Sequence, residues 1–378
     1  MKFNTKAVHI GQEPDPQTGA VIPPVYQTST YAANVCKGQF EYTRHGNPNY
    51  SHLEKTLASL ENASYATVYS SGMAAATALS SLLQSGDRVV GLAEVYGGTY
   101  RLFKEVLSRF QVDFILVDQQ DTEAVKKALQ PPTKILLFET PTNPLMICID
   151  IAEMSRLAKE QRVVTVVDNT FASPYFQNPI TLGADVVWHS TTKYISGHSD
   201  IIGGALITSD QKLHEGFQRA RTTLGLNPAP WDTWLISRGV KTLGVRMPQH
   251  EKNALAIAKA LQNHSKVKKV NYPGLEEHPT YKIATQQMSG FSGMLSVEFD
   301  LSHKKTLEVI SQFKLFSLAI SLGGVESLVN HSASMSHVSV PREERIRQGI
   351  SDGLVRFSAG IEDTDDLLED VLNSLKNI

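Results

Sequence analysis

From about residue 45 onward the chain alternates short apolar runs with helical stretches, and this rhythm constrains its fold more than any other feature. The predicted strands are 66–69, 89–92, 114–117, 134–138, 163–167, 186–189 and 205–208. Several are apolar on both faces, as strands buried inside a parallel sheet are. Helical patterns fall between them, at 73–83, 100–110 and 151–160. Strand–helix alternation of this kind predicts an α/β sandwich around a mostly parallel sheet. Ligands of such sheets sit at the carboxyl ends of the strands, so the residues just past those ends are where chemistry is sought.

The rhythm changes near residue 244, and 378 residues suit two domains better than one. We divide the chain into an arm (1–44), an α/β domain (45–244) and a smaller α+β domain (245–378). Pro14, Pro16, Pro23 and Pro24 break helices in the arm, which reads as irregular. An arm with no core of its own lies on something else, such as a neighbouring subunit. In the last domain an amphipathic helix is predicted over 249–261, with strands at 267–272 and 293–299. A C-terminal helix is expected with Thr364 as its N-cap and Asp365 and Asp366 in its first turn.

Composition excludes several classes of function. A net charge of −2 gives no global field for nucleic acid or an anionic membrane, so any anionic ligand must be held locally. Lys266, Lys268 and Lys269 have no interleaved aromatics and read as a solvated rim. Cys36 and Cys148 make neither a metal pair nor a disulfide framework, which suggests a reducing, cytoplasmic setting. The first ten residues lack the apolar core of a signal peptide, and no run approaches a membrane span of about 20 residues. His45, His52, His331 and His337 are not spaced as zinc ligands and read as ordinary polar or surface residues, so no metal is expected.

Five predicted strand ends carry candidate residues. The strand at 186–189 runs into Ser190, Thr191, Thr192 and Lys193, with Gly197, Gly203 and Gly204 nearby. Lys193 can form a Schiff base with an aldehyde cofactor whose phosphate the hydroxyls hold; otherwise it is a strand-end lysine facing water. Asp168 ends the preceding apolar strand, where a carboxylate needs a positive partner such as a pyridinium N–H, or else caps a turn. Ser71 and Gly72 precede a helix opening at Met73, a seat for an anion although strand–Gly–helix is common. Tyr96, followed by Gly97 and Gly98, can stack on a planar cofactor or simply fill the core. Asn143 can bond a phenolic oxygen or cap its turn. Neither GxxxxGK[ST] nor GxGxxG occurs, which argues against a P-loop or a nicotinamide Rossmann site.

Taken together, the segments YTRHGNP, SSGMAA, VYGGTYR, ETPTNP, VVDNTF, HSTTKYISGHSD, SLGGVES and LVRFSAGIED resemble, in order, the Cys/Met-metabolism (trans-sulfuration) family of pyridoxal 5'-phosphate (PLP) enzymes. The resemblance implies fold type I, similar to aspartate aminotransferase, with residues 45–244 binding PLP. It implies that Lys193 carries the cofactor and shuttles protons, that Asp168 holds the ring nitrogen, and that Tyr96 stacks on the ring and takes part in proton transfer. Gly72, Met73, Ser190 and Thr192 bind the phosphate in this reading, with Thr170 also touching the cofactor. The resemblance further implies that Tyr42 and Arg44 reach a neighbour's phosphate, in a homotetramer built from two catalytic dimers, and that Asn143, Ser321, Arg356 and Arg101 form the substrate site. Among family activities the resemblance puts α,γ-elimination of L-cystathionine first, methionine or homocysteine γ-elimination second and cystathionine γ-synthesis third. Ile320 departs from the pattern, because cystathionine-handling members often carry Glu just before SLGG. An inactive PLP-binding scaffold is the non-enzyme alternative.

Overall fold

The seven predicted apolar runs form one sheet. The computed structural model describes residues 1–36, 39–92, 95–336, 338 and 342–376, so His337 lies outside the described residues. Strands β1 (Tyr65–Tyr69), β2 (Arg88–Leu92), β3 (Asp113–Val117), β4 (Thr133–Glu139), β5 (Val164–Asp168), β6 (Val186–His189) and β7 (Gly204–Thr208) lie in the order β1-β7-β6-β5-β4-β2-β3. Pairings from β3 across to β6 are parallel, while β7 runs against both β6 and β1. Consecutive residues serve opposite faces. Leu137 and Val166 pack on one side with the helix Gly72–Ala78, and Leu136 and Val167 on the other with the helix Ile151–Glu160. Both faces are covered, which is why these strands read as continuous apolar runs.

A second, five-stranded sheet joins β8 (Val267–Asn271), β9 (Met294–Phe299), β10 (Ser317–Leu318), β11 (Leu328–His331) and β12 (Leu354–Ser358) in the order β10-β11-β12-β9-β8. All its pairings are antiparallel except β10–β11. Its core sets Leu295, Val297, Val355 and Phe357 against Leu367, Val371 and Leu375 of the C-terminal helix Thr364–Lys376. The helix Leu243–Gln262 links the two cores: Leu243 and Met247 enter the first, Ala254, Ile257 and Leu261 the second. None of the described helices is long and apolar enough to cross a membrane.

Several expectations need correction. The arm is not irregular throughout: Phe3–His9 is a helix with Ala7 buried, and Lys6 Nζ donates to Ser59 O at 3.0 Å. The helix-breaking prolines begin only at Pro14. The long helix starts at Leu243, six residues before the expected start, because burial of Leu243 and Met247 outweighs the cost of Pro248 inside it. The helix expected from residue 100 starts at Gly97, widens over Leu102–Val106 and tightens over Leu107–Phe110. Thr364 is the first residue of its helix and not its cap, since its hydroxyl donates to Asn253 Oδ1 at 2.7 Å. His331 is buried, with its ring nitrogens bonded to Ser334 Oγ and Asp352 O.

Candidate active site

Parallel strands deliver their carboxyl ends to one edge of the sheet, and a cleft opens there. Its lining includes Ser71, Gly72, Met73, Tyr96, Asn143, Asp168, Thr170, Ser190, Thr192 and Lys193 from the first sheet's side, with Ile320, Ser321 and Arg356 from the second. Asp168 ends β5 and Lys193 follows its parallel neighbour β6.

At the end of β1, Ser71 caps the helix Gly72–Ala78, its Oγ accepting from Ala74 N at 2.9 Å. Ala75 N closes the first backbone bond, onto Ser71 O, so the N–H groups of Gly72 and Met73 precede the helical ladder. Trp188 Nε1 donates to Gly72 O at 3.0 Å and anchors this turn. A Cβ on Gly72 would stand 2.9 Å from Ser190 Cβ, so the turn and Ser190 meet only because the side chain is missing. The Thr192 hydroxyl is engaged with Gly203, accepting from its N–H at 3.0 Å and facing its carbonyl at 3.2 Å.

Asp168 is half-buried at the end of β5 and accepts from Thr170 N at 2.9 Å. Burial pushes its carboxyl above the ordinary range, while Thr170 and His189 favour the ionised form. Thr170 Oγ1 accepts from Ser190 N at 2.9 Å, which ties the two strand ends together. Tyr96 is 48% exposed, with its ring packed against Gly98, where a Cβ would lie 2.5 Å from Tyr96 Cε1 and 2.9 Å from Met73 Sδ.

Lys193 Nζ donates to Ser321 Oγ at 2.6 Å. Burial, with the charge of Arg356, brings its amine down to about 8. Ser321 holds a positive φ of 122°, a strained backbone for a residue with a side chain. The Arg356 guanidinium is buried on β12; Nη1 donates to Asn143 Oδ1 at 3.0 Å and Nη2 to Ser321 O at 2.8 Å. Among the described residues, its buried Nε has no partner. Burial lowers it to about 10, which still leaves it cationic at neutral pH. The arrangement is a fixed cation with a donor to spare, suited to a carboxylate.

Three expected residues do not line this cleft. Tyr42 and Arg44 are exposed, and Arg44 Nη1 donates to Thr222 O at 2.9 Å. Arg101 is exposed at the end of the helix Gly97–Arg101. Sequence reasoning missed Glu139, Phe171 and Trp188, which do line it. Glu139 was the one within reach: it ends β4 as Asp168 ends β5, the two are register partners, and its Oε1 accepts from Asn143 N at 3.1 Å.

A sequence model of the family described as Cys/Met metabolism PLP-dependent enzyme matches residues 4–376. The chain belongs to that family. It is 46% identical over 382 residues to a cystathionine gamma-lyase of Bacillus subtilis, with 100% of both chains covered. It is also 46% identical over 375 residues to a cystathionine gamma-synthase of Mycobacterium tuberculosis, covering 98% of this chain and 96% of that one. The crystal structure of cystathionine gamma-lyase from Lactobacillus plantarum, complexed with L-serine, superposes with a TM-score of 0.96 at 41% identity, covering 100% of this chain and 99% of that one. The fold is thus fold type I, the cofactor is PLP, and the protein is a lyase or synthase of this family acting on a small amino acid. The cleft fits the cofactor chemically. It has two N–H groups outside the helical ladder, a strand-end carboxylate, an amine brought down to about 8, and a buried cation whose Nε lacks a partner among the described residues.

Proposed function

We propose that this chain is a cystathionine γ-lyase, converting L-cystathionine and water into L-cysteine, 2-oxobutanoate and ammonia. One observation supports this reading over methionine γ-elimination. Gly98 lies against Tyr96 and Met73 so closely that no Cβ fits without movement, and methionine γ-lyases, by resemblance, usually carry Cys in this loop. When bound, PLP supplies the electron sink for charge developing at the substrate's α-carbon. The chain does the rest. Gly72, Met73, Ser190 and Thr192 hold the phosphate, and Asp168, beside Thr170, accepts from the ring nitrogen. Lys193 Nζ holds the cofactor and takes the α-proton, oriented by Ser321 Oγ. Tyr96 stacks over the ring and takes part in proton transfer. Arg356 forks onto the α-carboxylate beside Asn143. Tyr42 and Arg44 complete the phosphate site of a neighbouring subunit in a homotetramer, in the cytoplasm.

Ile320 favours a second reading, methionine or homocysteine γ-elimination. It is 72% exposed at the mouth of the cleft and offers no charge to the distal ammonium of cystathionine. The purified enzyme is to be assayed for 2-oxobutanoate from cystathionine, homocysteine and methionine, and for cystathionine from an O-acylhomoserine plus cysteine. The proposal expects the highest kcat/KM for cystathionine with 2-oxobutanoate as product. Pyruvate from cystathionine, or a higher kcat/KM for any other substrate, overturns it.

A further inference from the structure

Behind the cleft, two ionisable side chains are buried against each other. Glu61 follows the helix Pro48–Leu60, and His189 is the last residue of β6. Each side chain is 1% exposed, and His189 Nε2 lies 2.5 Å from Glu61 Oε1. Asn169 Nδ2 donates to the same oxygen at 2.9 Å, and Asn178 Nδ2 donates to Oε2 at 3.3 Å. Neither asparagine brings a charge. A buried pair of this kind contributes little to stability, since desolvation offsets the attraction and an apolar pair of equal volume packs as well.

The position of the pair gives it a role. Asn169 directly follows Asp168 and donates from its backbone to Trp188 O at 3.0 Å; His189 lies between Trp188 and Ser190. The network therefore grips the strand ends that present Asp168 and Ser190. The imidazole also acts on Asp168 through space, favouring its anionic form against burial. Glu61, bonded at Nε2, fixes which edge of that ring faces its carboxylate.

We propose that the Glu61–His189 pair is a positioning unit that holds Asp168 ionised and aimed into the cleft, and so sets the protonation of the cofactor's ring nitrogen. This rests on the reading of Asp168 as the partner of that nitrogen. A protonated Asp168 would have a proton to donate and would no longer favour the ring N–H. Neither Glu61 nor His189 touches substrate or cofactor in this reading; both act through Asp168.

The test uses holoenzyme loaded with PLP carrying 15N in the ring, in wild type, Glu61→Gln, His189→Phe and Asp168→Asn. The readouts are the ring-nitrogen resonance by solid-state NMR, the PLP dissociation constant and the melting temperature of the apoprotein. Glu61→Gln keeps the side chain's volume and an acceptor for His189 and Asn169 while removing the charge, so it decides the matter if His189→Phe does not fold. The proposal expects the resonance in Glu61→Gln and His189→Phe to move toward neutral pyridine, in the direction of Asp168→Asn. PLP should bind about tenfold more weakly in both, equivalent to about 1.4 kcal/mol. A resonance that moves in Asp168→Asn and stays at its wild-type position in Glu61→Gln overturns the proposal and leaves the reading of Asp168 standing. A resonance unmoved in all three variants overturns both. A lowered melting temperature with wild-type resonance and affinity makes the pair structural and also overturns it.

Discussion

Lys193 shows how burial prepares a single group for chemistry. A free lysine amine titrates near 10.4 and is almost wholly charged at neutral pH. Here burial, helped by Arg356, brings it to about 8, while Ser321 Oγ fixes its direction. Only the neutral amine attacks an aldehyde, so apoprotein should capture PLP at a rate that rises with pH through about 8 and levels off above 9. Stopped-flow absorbance against pH measures this, and a rate still climbing steeply past 10 would show an unperturbed amine. Lys193→Ala should keep some PLP through its phosphate contacts yet lose nearly all turnover. Ile320 poses the opposite case, an apolar residue where charge is expected. An apolar contact discriminates by only ~1–3 kcal/mol, so wild type should separate cystathionine from methionine weakly. Ile320→Glu adds a partner for the distal ammonium and an unpaired charge facing methionine, so both effects act in one direction. The ratio of kcat/KM for cystathionine over methionine should rise in Ile320→Glu; a flat or falling ratio would place specificity elsewhere.

At the scale of elements, the site depends on how closely β7 and the helix Gly72–Ala78 approach. Gly204 opens β7, and a Cβ there would meet Ser71 O at 2.1 Å and Gly72 N at 2.8 Å, both backbone atoms that cannot rotate away. Gly204→Ala should therefore cost about 1–3 kcal/mol of stability and weaken PLP binding, because the turn that presents Gly72 must shift. Gly216, inside the helix Gln211–Leu224, is the control: a Cβ there would meet nothing within 4 Å among the described residues beyond its own stretch of helix. Gly216→Ala should be neutral or stabilising by up to ~1 kcal/mol. Thermal melts and PLP titrations of the two variants check the contrast, and equal losses in both would refute it. Elements of the first sheet were legible for a physical reason. Strands buried on both faces leave uninterrupted apolar runs, so β6 was read at both boundaries and the other six to within a residue at either end. The helix Phe3–His9 was not legible, since it holds its place by burying Ala7 against distant parts of the chain. Strands β10 to β12 were missed as strands; β10 is two exposed residues. In the site, strand-end rules found Asp168, Lys193 and Ser190. The Glu61–His189 contact spans 128 positions and leaves no local pattern.

For the whole molecule, the question is where the arm goes after its first helix. Residues 16–22 and 27–30 are exposed, and an isolated antiparallel bridge pairs Thr30 with Tyr42. Val21, Ile22 and Val35 expose large apolar side chains along the arm, a costly surface for an isolated subunit. Tyr42 and Arg44 end the same stretch, with the Arg44 guanidinium 5.6 Å from the Tyr42 ring centroid and neither lining their own chain's cleft. A cation and a phenol held together at the end of an exposed arm suit the phosphate of a second subunit, and under the proposal that they reach it each active site is the property of two chains. Complementation is then expected. Lys193→Ala lacks the amine but keeps a good Arg44; Arg44→Ala lacks the donated cation but keeps a good Lys193. A mixed dimer then has one site with both defects and one with neither. Co-refolded mixtures, with differently tagged chains purified together to verify the hybrids, should regain close to half of wild-type activity per hybrid dimer, from two parents that are each strongly impaired. Hybrids that stay as inactive as their parents would show that Arg44 serves its own chain, and the exposed arm would then need another explanation.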